Sequence, residues 1–136
     1  KIDFVQVPFN VFDQRLIETK NLNFLNKKKI DIHVRSIFLQ GLLLLNNSEI
    51  PLKFRKYNNF FYLWNTWLNN NNYSNLEACY NFVSKQKSIK KIVIGSANYN
   101  EFKNLFYCKE KKIHFPFKFK KVPENLYNPV KWQAKR

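Results

Sequence analysis

Apolar and polar positions along this chain follow two periods, and the switches between them mark its elements. Residues 2–7 (Ile2-Asp3-Phe4-Val5-Gln6-Val7) read as a strand ended by Pro8, whose missing N–H cannot extend a ladder. Residues 30–36 alternate apolar and polar as a second strand, and the β-branched run 91–95 reads as a short third. Between the first two the period becomes helical from Leu16 to Leu25, ending at Lys27-Lys28-Lys29, where cations suit a helix C-terminus. Tyr57, Phe60, Phe61, Trp64, Trp67 and Leu68 recur at i, i+3, i+4 and i+7, the spacing of a packing face. Ser74-Asn75-Leu76-Glu77 has the form of a capping box opening a further helix with Leu76, Cys79, Tyr80 and Val83 on its apolar side. Asn98-Tyr99-Asn100-Glu101 repeats that signal more weakly before Phe102, Leu105 and Phe106. From Phe115 the periodicity stops, predicting an extended tail over residues 115–136 behind a main unit of residues 1–114.

The order strand, helix, strand, two helices, strand, helix predicts an α/β fold with parallel strands joined by right-handed crossovers. Such a sheet leaves two open edges. Composition adds that 45% of the chain is hydrophobic and 18% aromatic, enough for a packed core. The absence of methionine and the immediate opening on a strand read as a piece of a longer chain.

The formal charge of +15 raises the question of nucleic acid. The basic residues are scattered among the Lys27–29 run, residues 85–91, 109–112 and 118–121, and form no single stripe, so composition is the expected source of the charge and nucleic acid is not the expected partner. Cys79 and Cys108 lie in apolar helical patterns without metal-ligand spacing, as reduced, packed thiols of a cytoplasmic protein would. The longest apolar run, 37–45, is too short to span a bilayer.

Parallel α/β folds place their sites at strand C-terminal ends. Here those ends carry Gln6, Arg35-Ser36 and Gly95-Ser96-Ala97, the last a small-residue loop before a capped helix that could present N–H groups to a phosphate. The same positions carry a resemblance. Val5-Gln6-Val7-Pro8-Phe9-Asn10-Val11-Phe12-Asp13-Gln14-Arg15 is similar to the sixth strand and following loop of bacterial aldo/keto reductases. Arg35-Ser36-Ile37-Phe38-Leu39-Gln40-Gly41-Leu42-Leu43 resembles their seventh-strand motif, and Val93-Ile94-Gly95-Ser96-Ala97-Asn98 their eighth-strand cofactor loop. Asn128-Pro129-Val130-Lys131-Trp132 resembles the family's terminal motif.

The resemblance implies a partial (β/α)8 TIM barrel, strands six to eight with their helices, roughly half of a barrel that runs to about 250 residues. It implies the C-terminal, cofactor-binding part of an NAD(P)H-dependent oxidoreductase that reduces an aldehyde, ketone or sugar carbonyl by hydride transfer. On that expectation Gln6 holds the nicotinamide carboxamide and Arg35 lies against the ring. Ser36, Phe38, Gln40 and Gly41 line the pyrophosphate passage. Gly95, Ser96 and Ala97 meet the adenosine phosphate end, with Glu101 and Asn104 near adenine and ribose.

Two departures follow. Relatives specific for NADP carry Lys or Arg in the last loop, whereas the matching positions here are Gly95 and Glu101, leaving NADP and NAD both open as cofactors. The family's catalytic Tyr, Lys, Asp and His lie on strands not present in this sequence, and His33 and His114 do not fit that set. The chain is thus expected to orient a cofactor for a small carbonyl substrate without donating the proton, and to be inactive alone. The alternative expectation is a basic nucleic-acid-binding or interaction module without enzymatic activity. It requires lysines and aromatics interleaved on one exposed face.

Overall fold

The structure, a computed structural model, describes residues 1–96, 98–108, 111, 113–115 and 122–132. Three strands, β1 (Phe4–Pro8), β2 (Asp31–Arg35) and β3 (Ile89–Ile92), form one sheet in the order β1-β2-β3. Both pairings are parallel, as the strand–helix alternation predicts. Alternate side chains divide the sheet. Ile32 and Val34 are wholly buried, and their register partners Val7, Ile89 and Ile92 pack against the same core. On the other face Phe4 stacks on His33 with ring centroids 4.5 Å apart, and Gln6, Arg35 and Lys91 are exposed. Parallel ladders cannot be closed by a tight hairpin, so each crossover carries helices.

The first crossover holds α1 (Arg15–Glu18) and α2 (Asn21–Lys27) rather than the single helix expected over residues 16–25. Thr19 breaks it. Its backbone is extended, and its N–H and its hydroxyl both donate to the Arg15 carbonyl, at 3.1 and 2.8 Å, so the turn ends there. The second crossover runs through three 3-10 turns (Leu42–Leu44, Asn47–Glu49, Leu52–Tyr57) into α3 (Asn58–Asn70) and α4 (Asn75–Ser84). The aromatic stripe of α3 is the packing face its spacing predicts: Phe61, Trp64, Trp67 and Leu68 are buried, and Tyr57 and Phe60 pack beside them. Ala78, Cys79, Phe82 and Val83 of α4 complete that layer, with Phe82 stacked on Phe9 at 5.3 Å. After β3 comes α5 (Tyr99–Phe106), capped by Asn98, none of whose side chains is buried.

Residues 115–136 were expected to be an extended tail. Within their described part the chain forms α6 (Glu124–Tyr127) and a 3-10 turn at Pro129–Trp132. Two contacts hold this segment down: the Arg15 guanidinium over the Tyr127 ring at 4.8 Å and the Trp132 ring edge-on to Phe54 at 4.8 Å. Leu126 is fully buried beneath them. One helical turn is too short to leave a period in the sequence, which is why it was not legible there.

The expected partial (β/α)8 barrel is not what the chain forms. A barrel needs each strand hydrogen-bonded on both sides. Among the described residues there are three strands in an open sheet, with β1 and β3 each paired on one side only. The α/β class stands; the assignment to strands six to eight of a barrel does not. Among the described residues no helix is long and apolar enough to cross a membrane.

Candidate functional site

The site begins with a loop that the core forces into shape. Beyond β1, Phe9, Val11 and Phe12 all bury their side chains, so the polar residues between them must be satisfied internally. Asn10 does most of this: its Oδ1 accepts from the N–H groups of Phe12 and Asp13, both at 2.9 Å. Its Nδ2 reaches across to donate to the Ser36 carbonyl at 3.0 Å. Asp13, itself buried, receives a two-pronged guanidinium contact from Arg15, 2.8 Å at each oxygen. Gln14 donates to the Val11 carbonyl at 2.8 Å. The loop after β1 is thereby tied to the end of β2.

The segment that follows β2 is strained. Ser36, Leu39 and Gln40 have φ values of 58, 49 and 55°, in the left-handed region, and Gly41 follows at 86°. For the three non-glycine residues this costs roughly 1–2 kcal/mol each. Burial of Ile37, Leu39, Leu42 and Leu43, together with the Asn10 contact to Ser36, offsets the cost. Strain held in this way by surrounding structure clusters at functional sites. Its consequence is geometric: with Ile37 and Leu39 turned into the core, Arg35, Phe38 and Gln40 keep more accessible positions.

These residues border a cleft of about 830 Å³ at the C-terminal ends of the strands. Of the sequence-predicted positions, Gln6, Arg35, Ser36, Phe38, Gln40, Gly41, Gly95, Glu101 and Asn104 all line it. Ser96 is exposed and does not line it, and Ala97 lies outside the described residues. Arg35 donates to the Ser36 hydroxyl at 3.2 Å, which links two of the lining side chains. Gly95 has no left-handed φ, and a Cβ there would meet nothing within 4 Å, so neither the turn nor packing within the chain demands glycine at that position.

A further wall was not anticipated from the sequence. Ser74, Asn75 and Leu76, the start of α4, line the cleft together with Leu44, Ile94 and Leu105. The capping box itself was legible: Ser74 Oγ accepts from the Glu77 N–H at 3.2 Å, and the Glu77 carboxylate accepts from the Ser74 N–H at 3.4 Å. Its position in space was not. Asn75 docks it, donating to the Leu43 carbonyl at 3.0 Å and to Asn65 Oδ1 at 3.2 Å, while Trp64 Nε1 donates to the same Leu43 carbonyl at 3.1 Å. The ammonium of Lys111 bonds the other oxygen of Glu77 and holds that carboxyl below its ordinary range, with smaller help from Ser74.

Chemically the cleft mixes apolar walls with few polar groups, as small-molecule sites do. Arg35 and Glu101 are the charged side chains among its described lining residues, which include no Tyr, Lys, Asp or His. His33 sits below it on the open sheet face against Phe4, and His114 is exposed. Cys79 is wholly buried, which pushes its thiol far up, and the half-buried Cys108 is raised for the same reason. Comparison with protein-family models, with curated proteins and with solved structures finds no match to this chain.

Proposed function

We propose that this chain is the cofactor-binding part of an NAD(P)H-dependent oxidoreductase of aldo/keto reductase type, working on a small aldehyde, ketone or sugar. One observation carries the reading: nine of the eleven residues that the resemblance marks for the dinucleotide, spread over three stretches of the sequence, border a single cleft at the strand ends. The cleft's volume of about 830 Å³ falls within the range of small-molecule sites, roughly 300–1,000 Å³.

In this reading Gln6 offers both an amide donor and acceptor to the nicotinamide carboxamide, which selects the ring face turned toward substrate. The Arg35 guanidinium would stand against the nicotinamide ring, where a planar cation can stack. Ser36, Phe38, Gln40 and Gly41 would flank the pyrophosphate, and Gly95 would face the adenosine end. Bound there, the dinucleotide supplies the hydride. The cleft's described lining holds no Tyr, Lys or His to protonate a carbonyl oxygen, so in this reading the acid is not among those lining residues. Two reduced thiols fit a cytoplasmic location. Among the described residues, the absence of a long apolar helix fits a role that does not require spanning a membrane by a helix.

Titrating the chain with NADH and with NADPH, read by quenching of Trp64, Trp67 and Trp132, tests this. At least one dinucleotide is expected to bind, and Gln6→Ala and Arg35→Ala are each expected to weaken it about tenfold, the loss of one good polar contact. Binding of neither cofactor, or unchanged affinity in both variants, would refute the proposal.

A further inference from the structure

Along the sequence the lysines are scattered, but in the folded chain two of their runs meet. Lys27, Lys28 and Lys29 close α2 and lead into β2, and Lys87 and Lys90 flank the start of β3. Because β2 and β3 are parallel neighbours, both strand starts lie at one end of the sheet, opposite the cleft. A bond between residues 62 positions apart fixes the approach: Asn26 Nδ2 donates to Ser88 Oγ at 2.9 Å. All these lysines are exposed, and none is ion-paired among the described residues. The acids that adjoin these strand starts, among the described residues, are Asp3 and Asp31, so cations prevail there. Phe24 of α2 is 57% exposed, and the Lys28 ammonium stands 6.0 Å from its ring centroid. An aromatic ring and a group of ammonium ends thus share one open surface.

We propose that this end of the sheet binds single-stranded nucleic acid. The ammonium groups meet phosphates, and release of the condensed counterions drives association. The Phe24 ring takes a base by stacking, a contact open to a strand whose bases are free to turn outward. Local structure explains part of the cluster: Lys27 and Lys28 complement the C-terminal dipole of α2, and Lys90 guards the open edge of β3. Lys29 and Lys87 serve neither purpose. An anionic lipid surface offers the same charge, but it seats a helix with a broad free apolar face. In α2 that face is already used, since Leu22 and Leu25 pack against the core and leave Phe24 by itself.

The experiment is fluorescence anisotropy of a labelled single-stranded oligouridylate, about 12 nucleotides long, titrated with the full chain over a range of salt. Affinity is expected to fall with salt at a log–log slope of about −2 to −3, from three or four phosphate contacts at about 0.7 each. The triple variant Lys28→Ala, Lys29→Ala, Lys87→Ala is expected to flatten that slope by about two. Phe24→Ala is expected to weaken binding about fivefold or more and to leave the slope unchanged. Because the whole chain is cationic, the control is Lys53→Ala, Lys56→Ala, Lys103→Ala, which removes the same charge from exposed lysines elsewhere. It is expected to bind as the unaltered chain does, with melting curves to check that each variant is folded. Absence of binding, an equal loss in the two triple variants, or an unchanged affinity in Phe24→Ala overturns the proposal. Tighter binding to phosphatidylserine vesicles than to the oligonucleotide overturns it as well. The outcome is independent of whether the cleft takes a dinucleotide, since that site lies at the other end of the strands.

Discussion

Replacing Asn10 with alanine isolates the link between the fold and the cleft. Asn10 is 1% exposed and makes three hydrogen bonds through its side chain, two to the loop after β1 and one to the Ser36 carbonyl at the end of β2. Deleting it leaves the N–H groups of Phe12 and Asp13 without that acceptor in a region closed to water. At about 1 kcal/mol for each bond lost the sum is about 3 kcal/mol, rising where a buried group stays unsatisfied. That is a large share of the roughly 5–15 kcal/mol by which domains are stable. Urea denaturation followed by tryptophan fluorescence reads it as a fall in midpoint with unchanged slope. The second consequence is specific to the cleft. Without the Asn10 amide, Ser36 loses a contact that helps to hold it at φ 58°, and the segment bearing Phe38, Gln40 and Gly41 relaxes. Dinucleotide affinity is therefore expected to fall at temperatures where the variant is still folded. A destabilisation below about 0.5 kcal/mol in Asn10→Ala, the ordinary size of a surface change, would refute the argument.

Two other outcomes follow from the same structure. Glu77→Gln removes the charge from the α4 capping box and its bond to Lys111, and should cost about 1 kcal/mol at neutral pH. Because the Glu77 carboxyl is held below its ordinary 4.5, its stabilisation is present above that value and is lost as pH falls through the lowered one. The gap in melting temperature between Glu77→Gln and the unaltered chain should accordingly close as the pH falls below that ordinary value of 4.5 and stay constant well above it. Thiol labelling gives the second. In the native state Cys108 should react slowly with a disulfide reagent and Cys79, wholly buried and with its thiol pushed far up, should react only on unfolding. Equal rates for the two would contradict the burial of Cys79.

Much of the fold was open to reading because its determinants are local. The alternation in β2, the i, i+3, i+4 stripe of α3 and the Ser74–Glu77 box each depend on residues a few positions apart, and each formed as the pattern predicts. The break at Thr19 and the single turn of α6 escaped for the opposite reason: one is a change of backbone direction at a single residue, the other a turn stabilised by Arg15 and by the burial of Leu126. Closure into a barrel could not be settled from strand-like segments, since it depends on neighbours beyond each edge, and the three strands here form an open sheet.

The candidate site divides along the same line. Gln6, Arg35, Ser36 and Gly95 were identifiable singly, because strand ends in parallel folds gather at one end of the sheet, whereas Glu101 was marked only by the resemblance. That they share one cleft, and that Ser74, Asn75 and Leu76 supply another of its walls, was decided by packing: Asn75 and Trp64 both donate to the Leu43 carbonyl and dock the start of α4 there. The left-handed run from Ser36 to Gly41 belongs to tertiary structure too. Nothing in Ser36, Leu39 or Gln40 favours that backbone by itself; burial of the leucines and the reach of Asn10 across two strands impose it. Local order along this chain thus comes from short-range periodicity and capping. The shape and charge of the cleft come from contacts between residues far apart in sequence, which no local pattern encodes.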